Sequence, residues 1–370
     1  MTAKELIEKY WPLMALAFIT LAGFLLRMYR LDWQCLMVDE MTTSNYSANS
    51  VQWIVWFSLA ADYNPPLYYL IAHYSEAIFG ITRFAVRFPA VIFGTLSIPV
   101  VYLLGKRVRG ITLGLLLAAL VSFMFPFFFY SQNARAYSLV MLGFVGVAYF
   151  FVRMYNGDRS RTAWAGISLC TALCFWSHYY ALVPIAVLFG ALILKDWRSM
   201  VKPLGLVGIL MIPMALLFDP YQLVSRTDHG IYNAYWNSPA FTATLVTNEM
   251  LCWSWVVLIP LALYALYRYR NNILRIFALV GFITPLSLIA VSQFTGTMPR
   301  YAVLVSPLVI VVAMYPVSEW IDRLKTLNQK IAVFALVLFV IFLFNYGSIL
   351  EWLTFSVCPF MTPNGAAVGS

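Results

Sequence analysis

An all-α, polytopic bundle of transmembrane helices is the fold class this sequence predicts, and three observations predict it. The chain is 62% hydrophobic and 11% charged over 370 residues, against roughly 45–50% and about 25% in a soluble domain. Its apolar residues fall in runs of roughly 20, the length at which a helix crosses a bilayer. Its basic residues gather in alternate loops, as they do where cytoplasmic loops carry the positive charge.

The runs place about eleven spans, near residues 11–29, 85–105, 110–130, 134–154, 163–177, 180–195, 200–218, 251–268, 273–292, 301–318 and 331–350. The first follows Lys4 and Lys9 and lacks a small-residue cleavage site, so it reads as a retained span. The N-terminal pair and the loops around 106–109, 153–161, 195–202, 268–275 and 323–330 hold seventeen of the 24 basic residues. That set is cytoplasmic by the basic-inside tendency. The N-terminus is then inside and the C-terminus outside. The net charge of +9 follows from this orientation signal, so no nucleic-acid partner is expected.

Residues 66–80 are apolar but short, and they carry His73 and Glu76. Counting them as a span would turn five basic clusters outward. They are expected to lie as a helix in the outer interface. Residues 41–60 read similarly, with Trp53, Trp56 and Phe57 suited to headgroup level. The chain thus divides into a module over 1–218 with a first outer loop at 30–84, a second long outer loop at 219–250, C-terminal helices over 251–350 and an outer tail at 351–370. The second loop is too aromatic for disorder and reads as a partly ordered lid.

Asp39 and Glu40 lie just beyond the first span, in LMVDEMTTS. Acids beside lipid are costly and often functional. One can act as a general base toward a hydroxyl, or both can hold a cation, or the pair can simply start a helix. Arg83, Arg87, Arg135 and Arg300 stand on the outer side against the basic-inside tendency. Their forked donors suit phosphate, and snorkelling to headgroups is the alternative. Asn64, Tyr68 and Tyr69 follow or flank a Pro-Pro kink, which is either the plain start of an interfacial helix or a place where their amide and hydroxyls line a sugar or acceptor site. His178 and Tyr179 end the fifth span, although a lone histidine is more often structural.

Among the five cysteines no metal spacing occurs. Cys170 and Cys174 sit in one apolar run, and pairing of Cys35 with Cys358 is left open. A Walker motif is absent, so an ATP-driven pump is not expected. A transporter or a non-catalytic lipid-binding protein is the competing class. Transporters place charges near the midplane, whereas here the polar outliers crowd the outer boundary.

Several segments taken together carry a resemblance. These are the Asp-Glu loop, NPPLYY, FGITRFAVRFPAVIFGTLSIPVVYLLGKRV, YSQNARAYSLVMLGF, CFWSHYYALVP, YWNSPAFTATLVTNEML and MPRYAVLVSPLVIVVA. In this order they resemble the GT-C membrane glycosyltransferases, in the branch of protein O-mannosyltransferases and aminoarabinose transferases, over roughly residues 5–320. The resemblance implies transfer of a sugar from a polyprenyl-phosphate sugar to a hydroxyl of a protein, glycan or lipid, and an in-line single displacement would invert the anomeric carbon. The resemblance also implies Asp39 as base with Glu40 beside it, Arg87 as the arginine of the family's Arg-Leu-Pro-Ser segment and Arg300 at the lipid phosphate; the residue pattern adds Arg83 and Arg135 as further phosphate candidates. Some relatives carry an acid in the segment matching 131–138, whereas this chain reads SQNARAYS. No cofactor or metal is therefore expected to be required. Several relatives also carry a further outer domain that does not follow the last span here. The site would face outward from a prokaryotic cytoplasmic membrane, or the lumen of the ER in a eukaryote.

Overall fold

The computed structural model describes residues 3–62, 64–217, 246–291 and 298–354. Among these residues the chain is helical, with no strand. The long α1 (Ala3–Met28) leads into three short helices of the first outer loop, α2 (Val38–Ser47), α3 (Val51–Ala60) and α4 (Leu67–Phe79). Next come α5 (Arg83–Val108), α6 (Ile111–Phe123), α7 (Phe125–Ser131), α8 (Tyr137–Tyr155), α9 (Arg161–Phe175), α10 (Leu182–Asp196) and α11 (Val201–Leu217). The C-terminal part holds α12 (Trp255–Arg268), α13 (Asn272–Val291), α14 (Ser306–Arg323) and α15 (Leu327–Thr354). A 3₁₀ turn, Pro299–Val305, leads into α14.

Each expected span coincides with helix. Eight segments among the described residues are long and apolar enough to cross a membrane, and nine if α6 and α7 form one bent span. One of the eight, Tyr179–Leu217, is 39 residues long and contains both α10 and α11. With 15 residues, α9 is too short to be among these segments. The chain is an integral membrane protein. At 13 residues α4 is not among the candidate spans. Residues 41–60 form two helices rather than one, because Ser50 accepts the Trp53 N–H and restarts the helix. The proposed lid at 219–250 lies outside the described residues, except for 246–250, which are helical and belong to the span Val246–Arg268.

Ion pairs and hydrogen bonds join the loops at the helix ends. Arg109 pairs with Asp322 and Arg159 with Asp196 at one end. At the other, Arg30 donates to the Leu353 carbonyl (2.9 Å) and Gln34 to that of Trp352 (3.2 Å). The end of α15 thus meets the first outer loop.

Small residues let the central helices approach. A Cβ added at Gly105 would lie 2.8 Å from the Gly114 Cα, so only glycine permits this α5–α6 contact.

The bend between α6 and α7 (58°) has a chemical cause. Pro126 has no N–H to offer the Ser122 carbonyl. The Phe125 N–H turns instead to Asn345 Oδ1 (2.9 Å). The freed carbonyls of Val121 and Ser122 accept the Arg27 guanidinium at 2.8 and 3.1 Å. Arg27 is fully buried, and these carbonyls, with Gly23 O, replace water around its donors. After the bend, residues 132–136 meet α2 through Ala134 and Arg135.

Candidate active site

Helix α2 begins at Val38, which puts Asp39 and Glu40 in its first turn, where the helix dipole favours acids. Adjacent helical residues point about 100° apart, so the two carboxylates face different surroundings. Glu40 turns inward and is 1% exposed. Its Oε2 accepts the Met37 N–H (2.9 Å), the reciprocal half of a capping box, and Arg87 Nη2 (2.7 Å). Its Oε1 accepts Arg87 Nε (2.8 Å) and the Ala134 N–H (2.8 Å).

Arg87 is equally committed. Beyond its fork on Glu40, Nη1 donates to the carbonyls of Leu31 and Gln34 (both 2.9 Å) and Nη2 to that of Cys35 (2.8 Å). All five N–H groups are used. Every Arg87 donor is thus held by a protein acceptor, and Glu40 is the acid of the pair that Arg87 holds. Together they clamp the first outer loop, the start of α5 and residue 134 around α2. Arg83, one turn earlier, reaches the Trp33 carbonyl (3.4 Å) and lies away from the cavities described below.

Asp39 turns outward and is 35% exposed on its side chain. Its Oδ2 accepts Arg300 Nη2, so the 3₁₀ turn before α14 closes on α2 across 261 residues of sequence. Arg135 approaches from the other side. Its Nη1 makes long contacts with the Asp39 carbonyl (3.4 Å), Thr43 Oγ1 (3.5 Å) and the Tyr69 hydroxyl (3.3 Å). Tyr69 donates in turn to Asp62 Oδ2 (2.7 Å). Burial pushes the Tyr69 hydroxyl well above its usual range, so it stays protonated and keeps donating.

Two cavities lie beside these arginines, one lined by Arg135 and the other by Arg300. The smaller is lined by Thr43, Asn64, Tyr68, Tyr69, Arg135 and His178, among others, with a volume of about 10 Å³, room for about one water-sized group. Tyr68 and His178 are buried. His178 Nδ1 accepts the Tyr180 N–H (3.2 Å), which leaves the proton on Nε2, and buried Nε2 has no partner among the described residues. Burial and the nearby cations Arg135 and Arg300 hold this histidine down to about 3. It is neutral at physiological pH and offers one N–H. Tyr179 is half-buried and does not line this cavity.

The larger cavity, about 730 Å³, is lined by Arg300, Tyr130, Asn133, Glu249, Trp352 and others. Tyr130 donates its hydroxyl to Glu249 Oε2. Through Trp352 the cavity adjoins an apolar cleft of about 400 Å³, walled by Leu26, Leu120, Phe128, Leu338 and Phe342. The sequence reading missed Tyr130, Asn133 and Glu249. A lone acid in the otherwise uncharged stretch SPAFTATLVTNEML was the available signal for Glu249.

The arrangement combines a half-exposed carboxylate, two guanidiniums and a cavity that is polar at one end and apolar beyond. It can deprotonate a hydroxyl, neutralise an anion and house a lipid chain in one place.

Residues 63–220 match the dolichyl-phosphate-mannose-protein mannosyltransferase family. No curated protein matches the chain by sequence. By fold it is similar to ArnT from Cupriavidus metallidurans in the apo state (TM-score 0.62, 14% identity, 89% of this chain and 63% of that one). The same enzyme bound to undecaprenyl phosphate is equally similar (0.62, 16%, 88% and 63%). The archaeal oligosaccharyltransferase AglB from Archaeoglobus fulgidus, in complex with an inhibitory peptide and a dolichol-phosphate, also matches (0.59, 15%, 96% and 57%). The chain thus spans 57–63% of the length of these structures. The resemblance read from the sequence is met by the family match over residues 63–220 and by the fold, which is shared with ArnT and AglB.

Proposed function

We propose that this protein transfers a sugar from a polyprenyl-phosphate sugar to a hydroxyl acceptor at the outer face of the membrane. The observation that carries this reading is the Asp39 carboxylate paired with Arg300, with Arg135 against the Asp39 backbone carbonyl, where Arg300 lines a cavity that adjoins an apolar cleft at Trp352. The carriers named for the similar ArnT and AglB structures, undecaprenyl phosphate and dolichol-phosphate, support a polyprenyl-phosphate donor here.

In this reading the acceptor hydroxyl enters the smaller cavity, where Asn64, Tyr68, Tyr69 and the His178 N–H orient it. Asp39 takes the hydroxyl proton while the oxygen bonds to the anomeric carbon. The bond from that carbon to the phosphate oxygen breaks, and polyprenyl phosphate leaves with the electron pair. Attack opposite the leaving group inverts the carbon. The phosphate gains charge as it departs, and fixed guanidiniums stabilise that charge best in a water-poor site. Arg300 and Arg135 fill this role, while Arg87 and Glu40 hold the loop that carries the base. The lipid chain lies along the apolar cleft between α1, α6 and α15. Neither substrate phosphate nor base requires a metal.

The match to a mannosyltransferase family favours a hexose, mannose first. Protein, glycan and lipid acceptors all present the required hydroxyl. The test is a transfer assay with purified protein, defined polyprenyl-phosphate hexoses and acceptors of each class, read by mass analysis of products. A product with inverted anomeric configuration is expected. Polyprenyl-phosphate sugars that are neither bound nor consumed would remove the proposal.

A further inference from the structure

We infer that Asn133, Tyr130 and Glu249 form the subsite for the sugar of the donor lipid, on the wall of the larger cavity that also carries Arg300. The inference rests on the transferase reading above and assigns residues that reading does not use.

Asn133 is 6% exposed and lines the cavity. Its Oδ1 is buried and accepts no hydrogen bond. Its amide Nδ2 reaches only the Met37 sulfur, at 3.8 Å. Buried polar atoms are almost always paired, and one left open at a cavity wall calls for a ligand donor. On the same wall, Glu249 gives Oε2 to the Tyr130 hydroxyl, which fixes the carboxylate and leaves its other lone pairs for a ligand. These groups form an acceptor pole.

Arg300 supplies the donor pole. Its Nη2 holds Asp39, and its buried Nε has no acceptor among the described residues. A phosphate carries only acceptors at neutral pH, and a sugar ring carries hydroxyl donors. A sugar joined to a phosphate presents the two together, matching both poles of one cavity. The smaller cavity does not suit the sugar. It has room for about one water-sized group, and its unpartnered group, His178 Nε2, is a donor. The two cavities thus divide the substrates, with the donor sugar on the Asn133 side and the acceptor hydroxyl on the His178 side.

The test is equilibrium binding to the purified full chain in nanodiscs. The probes are polyprenyl phosphate alone and polyprenyl phosphate carrying glucose, mannose, galactose or N-acetylglucosamine. Wild type is expected to bind at least one sugar lipid about tenfold more tightly than the bare phosphate, because a site built to bond hydroxyls discriminates against their absence. Asn133→Leu, which keeps the volume, and Glu249→Gln should each erase about fivefold or more of that preference while bare-phosphate affinity holds. Tyr130→Phe, which only frees the carboxylate, should lose less. A wild type without sugar preference, or variants that retain it, would overturn the subsite. So would an equal loss for bare and sugar-bearing lipid, which marks a structural defect. Wild type that binds no polyprenyl phosphate at all would instead refute the transferase reading.

Discussion

Asp39→Asn should move two measurements in opposite directions. The amide keeps the shape of the carboxylate but cannot take a proton. A positioned general base contributes about 10²–10⁴ in rate, so the chemical step should slow by that factor, about 3–5 kcal/mol of barrier. Lipid binding should respond the other way. In the resting protein Arg300 is held by Asp39, with side-chain exposures of 26% and 35%. A pair this open to water contributes about 1 kcal/mol at most. Removing the negative charge releases Arg300 for phosphate, so polyprenyl phosphate should bind up to about fivefold more tightly. Single-turnover transfer measures the first effect, and titration of polyprenyl phosphate into nanodisc-embedded protein measures the second. Wild-type turnover in the variant, or weaker phosphate binding, would refute the role of Asp39 and its pairing with Arg300.

The other predictions concern the clamp, a buried histidine and metal. Glu40→Gln or Arg87→Met should each lower stability by about 3–5 kcal/mol, because each strands a buried partner. Thermal unfolding should show that the double change Glu40→Leu/Arg87→Leu costs less than the sum of the singles, and simple additivity would argue against the clamp. His178 is held near 3 when folded, against 6.5 ordinarily. The unfolded chain therefore binds more protons between these values, and stability should fall as pH drops from about 6.5 towards 3. His178→Gln should flatten that part of the stability–pH curve, and an unchanged slope would show that other groups set it. Transfer should persist in excess chelator, because the four hydrogen bonds to Glu40 leave it unable to share a cation with Asp39. Loss of transfer that manganese or magnesium restores would overturn this.

The helical class, the positions of the helices and the choice of Asp39, Arg135 and Arg300 as charged residues near span ends were legible in the chain itself. Helix length and basic-residue bias are local properties that the bilayer imposes on any sequence. A charged residue at the outer boundary stands out because its desolvation cost demands a reason. Arg87 and Glu40 stood out for that same cost, but their mutual pairing is not visible in the sequence. An arginine with open donors and one with all five bonded look identical in sequence. Only the fold brings the carbonyls of Leu31, Gln34 and Cys35 to Arg87, and the Ala134 N–H to Glu40.

Asn133 and Glu249 went unnoticed for the complementary reason. A neutral amide in SQNARAYS carries no charge signal, and the absence of an acid there was the feature that drew attention. The acid at this place comes instead from Glu249, 119 positions beyond the tyrosine it bonds. Composition and periodicity determine which segments enter the membrane, because each segment settles its own transfer free energy with the bilayer. Which carboxylate is buried, which guanidinium remains open and which two cavities lie beside the arginines are decided by the tertiary structure, because those states depend on partners that meet only when α2, α5, the bend at Met124 and the turn before α14 pack together.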